Sequence, residues 1–344
     1  MKKTLTYILV ILATFMLVTC DSFISINPLD INSVDVVDDV DDSNDDGNDN
    51  GDGNGNDDGD DNGGIGIVVS PNDPEQSGCE CQRIDVPNES ILIEETAIPS
   101  DLPESYDLSD LMPPVRSQGN QGSCVSWAIA YYLKSYQEKV QYGYEYDTFE
   151  NVMSPAYIFN QIKQDVSCLS GSELRESLTL LQDEGVTNWT DFPYNDSECS
   201  ELPSLDLLTK AEENKIGDFF AIGIPETNTD DDYTLLNLLK TLISQDNPIV
   251  TSMEFTKLIF EYQDDKYLAY DYNDDTGNDE ESFCHAILIV GYDDEVEAFK
   301  FVNSWGTNWG NEGYGWLSYD FFRPLDDDKY LEGYSESYIV YDLE

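Results

Sequence analysis

The chain has 344 residues, with 71 acidic side chains against 16 Lys and Arg and a single histidine. A formal charge of −55 excludes a nucleic-acid binder that works by neutralising phosphates, and it opposes attraction to anionic lipid surfaces. One histidine excludes a multi-histidine metal site, so neither metal nor cofactor is expected and any imidazole chemistry falls on His285. The apolar fraction of 40%, with 22 Tyr and 14 Phe, is enough to fill a core.

At the N-terminus, Lys2 and Lys3 precede a 14-residue apolar run, residues 5–18. That is short for a membrane span and suits the apolar region of an export signal. The run ends Leu17-Val18-Thr19-Cys20, which resembles a bacterial lipobox, where the cysteine is acylated and becomes the mature N-terminus; Thr19 departs from the small residue usual there. Residues 1–20 therefore read as a signal peptide ending in a lipidation site at Cys20. Residues 21–100 read as an acidic Asp/Asn/Gly-rich linker with a short segment before the domain. Within it, residues 35–61 hold 13 Asp and no basic residue. Such a stretch cannot bury enough apolar surface to offset its ordering entropy. Its Asp-x-Asn-x-Asp-Gly fragments lack the regular spacing and closing Glu of a calcium loop. A tether of this kind would hold a domain away from the cell envelope.

Residues 101–344 read as one domain, with 49 acids and 13 bases, or 13 − 49 = −36. The first helix starts near Cys124, where Val125, Ala128, Ile129, Tyr132, Leu133 and Tyr136 follow the spacing of one helical face. Ser154 and Pro155 supply an N-cap and a first-turn proline for a helix reaching about Lys163. Residues 172–184 carry Leu174, Leu178 and Leu181 on one face and end at Gly185. Residues 232–244 repeat the pattern. Beyond 247 the segments become strand-like: 248–253, 266–272, 285–292, 298–304, 313–318 and 337–342, separated by Gly, Asp and Asn turns. Helices first and strands second predict an α+β fold of two halves.

Cys124 closes a glycine-rich run, Gln118-Gly119-Asn120-Gln121-Gly122-Ser123-Cys124, at the start of that first helix. Unpaired N–H groups and the helix dipole stabilise a thiolate there. Gln118, six residues earlier, can fold its amide back beside the sulfur. A second cluster starts with Cys284-His285-Ala286 at the head of an apolar strand. It continues with Asn303-Ser304-Trp305-Gly306-Thr307-Asn308-Trp309-Gly310-Asn311-Glu312-Gly313-Tyr314.

Together these segments resemble the papain-like cysteine peptidases, over about residues 102–341 and with the order Cys, His, Asn. The resemblance implies the papain-like two-subdomain fold, a helical left half and an antiparallel β right half with the active-site cleft between. It implies that Cys124 is the nucleophile, His285 the acid–base group, Asn303 the residue that orients His285, and Gln118 an oxyanion donor together with the Cys124 backbone N–H. Trp305 would shield the His285–Asn303 hydrogen bond. Ser170 and Gly171 resemble the edge on which an extended substrate lies, and Ser252, Met253 and Ala286 fall where the family lines its S2 pocket. A disulfide between Cys168 and Cys199 is also implied.

Two departures stand out: Gln121 occupies the place of a disulfide cysteine, and Val125 follows the nucleophile where the family has Trp, with an aromatic instead at Trp127. This variant resembles a divergent microbial branch. Cys284 is expected as a buried thiol, and Cys79 and Cys81 have no assigned role. The expectation is an exported, envelope-tethered, monomeric cysteine peptidase acting on protein or peptide substrates and touching membrane only through its N-terminal anchor or signal. The alternatives are a transglutaminase- or amidase-type acyl-transfer enzyme and an inactive binding module on the same fold.

Overall fold

The computed structural model describes residues 99–222, 234–256, 259, 282–322 and 334–343, all within one compact unit, Ile67–Glu344. The signal and lipidation reading at Cys20, the linker, Cys79, Cys81 and the expected strand 266–272 lie outside the described residues.

The first helix, α1, runs as three successive segments, Cys124–Ser126, Trp127–Lys134 and Ser135–Tyr142. The middle one has the wider i→i+5 pitch, a local departure that concentrates near functional sites. The helix ends at Gly143, whose φ of 71° is the left-handed stop that glycine takes without strain. Helix α2 (Pro155–Ile162) begins as expected, with Ser154 Oγ accepting from Tyr157 N and proline in the first turn. Then come α3 (Leu174–Asp183), α4 (Leu205–Ala211) and α5 (Thr234–Ser244).

Among the described residues, seven strands form one sheet: β1 (Ser105–Asp107), β2 (Ile216–Ala221), β3 (Ile249–Thr256), β4 (Ser282–Asp293), β5 (Ala298–Val302), β6 (Tyr314–Ser318) and β7 (Tyr334–Asp342). The order is β2-β7-β3-β4-β5-β6, with β1 added at the far end of β4, and every pairing is antiparallel. The helix-then-strand division is looser than expected. Strands β1 and β2, from the first half of the chain, join the sheet, and α5 packs with the strands.

Strands β3, β4 and β7 are covered on both faces, which is why residues 286–290 read as a continuous apolar run. Side chains alternate between the faces. Val250, Ala286, Leu288, Val290, Tyr338 and Val340 join α1, α2 and α3 in one core. Ile249, Met253, Phe255, Ile287, Ile289 and Ile339 join α5 in a second. The first segment of α1, headed by Cys124, packs against β4, the strand of His285.

Candidate active site

The glycine-rich run is shaped by what lies against it. A side chain at Gly122 would meet the carbonyl oxygens of Leu169 and Ser170 at 2.5 and 2.8 Å, and Gly122 N donates to Cys168 O. The 168–171 loop therefore rests directly on the approach to Cys124. A disulfide joins Cys168 to Cys199, with the two Cα atoms 5.7 Å apart. Ser170 Oγ donates to Ser167 O, and Gly171 O accepts from Gln164 N, so these two residues are fixed beside the run. Cys124 heads the helix, buried and in no disulfide.

Gln118 is held at every polar atom. Its N–H donates to Ser304 O, its carbonyl accepts from Tyr194 Oη, its Oε1 accepts from Ser304 Oγ, and one Nε2 proton goes to Gln121 O at 2.8 Å. One Nε2 proton remains for a ligand. Burial pushes the Tyr194 hydroxyl well above the usual tyrosine range, so it stays a donor, and it also meets Ser123 Oγ at 2.7 Å.

His285 Nε2 lies 2.8 Å from Asn303 Oδ1. Because Oδ1 accepts, Nε2 carries the proton, and Nδ1 is left for a reacting group. Asn303 Oδ1 also accepts from Ser304 N, and the Asn303 carbonyl accepts from Tyr132 Oη at 2.9 Å. Trp305 stacks on the imidazole, centroids 4.4 Å apart and planes 30° apart, and Trp309 stands edge-on behind it. Trp305 bridges to Ser117, and Gly306 N donates to Arg116 O. The strand-end loop carrying Asn303 is thus pinned to the segment carrying Gln118. Cys124 heads the segment that packs on the strand of His285, Asn303 and Trp305 contact His285, and Gln118 is bonded to Ser304 beside Asn303.

Residues 102–322 match the profile of the papain family of cysteine proteases. The chain belongs to that family. Among curated relatives of this papain-family protein, mouse cathepsin K is 25% identical over 63% of the chain and 60% of its own length. A viral cathepsin from a Cydia pomonella granulosis virus is 27% identical over 62% and 56%. The chain thus spans about three fifths of these relatives. Among solved structures, xylellain, a cysteine protease from Xylella fastidiosa, aligns with a TM-score of 0.62 at 23% identity, over 79% of this chain and 97% of that one. The procathepsin B S9 of Trypanosoma congolense aligns at 0.54 and 14% identity, over 78% and 88%. These likenesses establish the papain-like α+β fold.

Two placements differ from the sequence reading, and a third residue lay outside it. Met253 pairs with His285 across the sheet but is fully buried in the second core, because strand alternation turns it away from Ser252. Ser252 and Ala286 do share a face. Cys284 is disulfide-bonded rather than a buried thiol. It belongs to neither apolar core, and its Sγ lies 3.2 Å from Ser252 Oγ on the face that carries Ala286. Finally, Glu336 stands opposite Ser252 on β7. Burial raises its carboxyl to about 7, with Tyr338 pulling down, Glu173 adding to the rise and Arg175 opposing it. No local signal marks Glu336 among 71 acids; only the register across β4, β3 and β7 puts it in the row of Ala286 and Ser252.

Proposed function

We propose that this chain is a monomeric cysteine peptidase hydrolysing protein or peptide substrates through Cys124, His285, Asn303 and Gln118. The observation that carries the reading is the imidazole: Nε2 is tied to Asn303 beneath Trp305, and the helix headed by Cys124 packs on the same strand.

In this reading His285 Nδ1 takes the Cys124 thiol proton and the sulfur attacks the scissile carbonyl carbon. The oxyanion that forms is met by the free Nε2 proton of Gln118 and the backbone N–H of Cys124. As the C–N bond breaks, His285 gives a proton to the leaving amine, and a thioester remains on Cys124. Water then attacks the thioester, His285 takes its proton, and the carboxylic acid leaves with Cys124 regenerated. Asn303 keeps the ring in register through both halves, and Trp305 keeps water off its bond.

Cys124→Ser and His285→Ala are each expected to lower peptide hydrolysis by at least about 10³-fold with the fold intact, since the members of such a set act as a unit. Turnover close to wild type in either purified variant would overturn the assignment. Asn303→Ala should be milder, because it misorients His285 without removing it.

The signal-like N-terminus supports export, with Cys20 acylated and the acidic stretch as spacer. Disulfides at Cys168, Cys199 and Cys284 fit an oxidising compartment. Metabolic labelling with palmitate should mark the wild type and spare Cys20→Ala.

A further inference from the structure

Gln121 is one of the two departures from the family's nucleophile motif, and the mechanism above gives it no part. Its side chain is buried, 1% exposed, and reaches from the glycine-rich run to the segment after Tyr194, where Nε2 donates to Asn195 O at 3.2 Å. The contacting atom must be the nitrogen, because a backbone carbonyl only accepts. The backbone of the same residue faces the site. Gln121 O accepts from Gln118 Nε2 at 2.8 Å and from Ser123 N at 2.8 Å. We propose that Gln121 is a positioning residue for the oxyanion donor. Held to Asn195 by its side chain, it aims its own carbonyl at Gln118 Nε2 and so directs the remaining proton of that amide; this rests on the peptidase reading, in which Gln118 meets the oxyanion.

The planar amide makes the aim matter. The two protons of Nε2 lie in one plane, a fixed angle apart. Once Oε1 accepts from Ser304 Oγ and one proton goes to Gln121 O, the direction of the second proton follows. A shift of the Gln121 carbonyl turns the amide and swings that proton off its target. The other supports of Gln118 do not replace Gln121. Tyr194 Oη holds the Gln118 carbonyl and Ser304 O takes its N–H, so both fix main chain and leave the amide to Ser304 Oγ and Gln121 O.

The Asn195 carbonyl is a fixed mark. It also accepts from Glu198 N at 3.3 Å, and Asn195 Oδ1 accepts from Ser197 N at 3.0 Å, so residues 195–198 form a closed turn. That turn leads into Cys199, whose disulfide holds Cys168, and Cys168 O accepts from Gly122 N. The circuit from Gln121 through Asn195, Cys199 and Cys168 thus returns to the residue after Gln121. A run rich in glycine has little stiffness of its own. Gly119 takes a φ of 61°, with the Asp196 side chain packed where a Cβ would stand. Rigidity comes from the circuit, and the Gln121 side chain closes it with a single hydrogen bond.

Variants of the full chain test this. Gln121→Met keeps the length and fills the site while removing the donor. Asn195 O keeps its bond from Glu198 N, so no buried carbonyl is orphaned. A misplacement of about 1 Å can cost up to ~10²-fold, so kcat should fall about tenfold with KM little changed. Gln118→Ala removes the donor itself and should cost roughly 10²-fold or more. The double variant should lose no more than Gln118→Ala alone, because Gln121 acts through Gln118. A further loss of about tenfold in the double variant, or full kcat in Gln121→Met beside an impaired Gln118→Ala, would overturn the proposal.

Two probes separate aim from general loosening. When a peptide aldehyde adds to Cys124, the S–C bond forms and the carbonyl π pair moves onto the oxygen facing Gln118. The thiol proton passes through His285 to complete the hemithioacetal. Iodoacetamide alkylates the same sulfur with loss of iodide and a proton, and builds no oxyanion. Gln121→Met should bind the aldehyde about tenfold more weakly and be alkylated at the wild-type rate. Equal losses on both probes would mean a merely structural role and overturn the proposal. If Gln121→Met does not fold, Gln121→Glu takes its place. Its carboxyl donates to Asn195 O only when protonated, so its aldehyde affinity relative to wild type should recover as pH falls; a ratio independent of pH would overturn the proposal. A wild type that shows the aldehyde difference yet hydrolyses no peptide would sink the peptidase reading and leave the aim of Gln118 standing. Gln118→Ala with unchanged kcat and aldehyde affinity would remove both.

Discussion

The face of β3, β4 and β7 turned toward α1, α2 and α3 is packed with tyrosines; the face turned toward α5 is packed with leucine, isoleucine and phenylalanine. On the first face the hydroxyls work as struts. Tyr131 donates to Pro114 O, Tyr132 to Asn303 O and Tyr136 to Asp246 O, and Tyr146 Oη lies within reach of both Leu111 O and Ser135 O. Each ties the helical half to a loop or strand end at a defined distance. On the second face rings meet rings, as Phe299 meets Tyr292, Tyr319 and Phe322. Hydrocarbon packing stabilises through area and tolerates small shifts, whereas a hydrogen bond specifies a position. The candidate site straddles the two faces, with Cys124 in the first core and His285 and Trp305 against Phe255 and Phe283 of the second, and its Gln118 and Asn303 backbones are both held by tyrosine hydroxyls.

The comparison can be broken most sharply at Lys134. Its ammonium is buried on the first face, 2.7 Å from Glu138 and 2.6 Å from Asp342, and so links α1 to the end of β7. Lys134→Ala should cost about 3–5 kcal/mol in denaturant unfolding, because it strands a buried carboxylate. Phe299→Ala, on the other face, should cost a similar amount, about 3–5 kcal/mol, through its cavity. The two differ in pH dependence. Burial raises the Glu138 carboxyl, with Lys134 opposing. Without Lys134, Glu138 can protonate and relieve its own penalty, so the loss in Lys134→Ala should shrink toward pH 4. The loss in Phe299→Ala should stay constant. Parallel pH profiles for the two variants would show that the faces differ in composition and not in mechanism.

Glu336 offers a smaller effect of opposite sign. A carboxyl whose folded pKa is raised from 4.5 to about 7 binds its proton more tightly when folded. Its stabilising contribution is thus present below pH 4.5 and lost as pH rises through 7, after which the group destabilises. The full shift corresponds to at most about 3 kcal/mol, and partial exposure reduces that to ~1–2 kcal/mol. Glu336→Gln should therefore raise the melting temperature at pH 8 and leave it nearly unchanged at pH 4. A variant less stable than wild type at pH 8 would mean that the carboxylate is paired and useful there.

What could be read from the sequence follows the same division. The two motif clusters are local, and each could be picked out by its resemblance to the papain family: the glycine run before Cys124, and His285 to Asn303 across one hairpin. The α3 boundary was legible from Gly185, whose φ of 82° and close approach to Ala211 O admit no side chain. Strand β2 was not, since Gly217 and Asp218 interrupt its apolar pattern and its order comes from β7, more than a hundred residues away. The burial of Met253 on the face opposite Ser252 and Ala286 needed strand phase, which an apolar run buried on both faces conceals. Cys284 and Glu336 acquire meaning only from what the sheet places opposite them.

The smallest effects sharpen the comparison furthest, because they remove one oxygen and nothing else. Tyr132→Phe and Tyr194→Phe delete the hydroxyls that hold Asn303 and Gln118. Tyr292→Phe deletes a hydroxyl in the second core that donates to Pro103 O. All three should lose stability, about 0.5–1.5 kcal/mol for each hydrogen bond removed, Tyr194→Phe also giving up the contact with Ser123 Oγ. Only the first two should affect hydrolysis. They free the loop or segment bearing a reacting group, and a misplacement of about 1 Å can cost up to ~10²-fold, so a fall in kcat of about tenfold with KM little changed is expected. Tyr292→Phe, equally destabilised, should keep its kcat. Steady-state kinetics on the three variants at matched folded fraction decide it. If kcat fell equally in all three, positioning would be a property of overall stability, and the division between a face that specifies and a face that packs would fail.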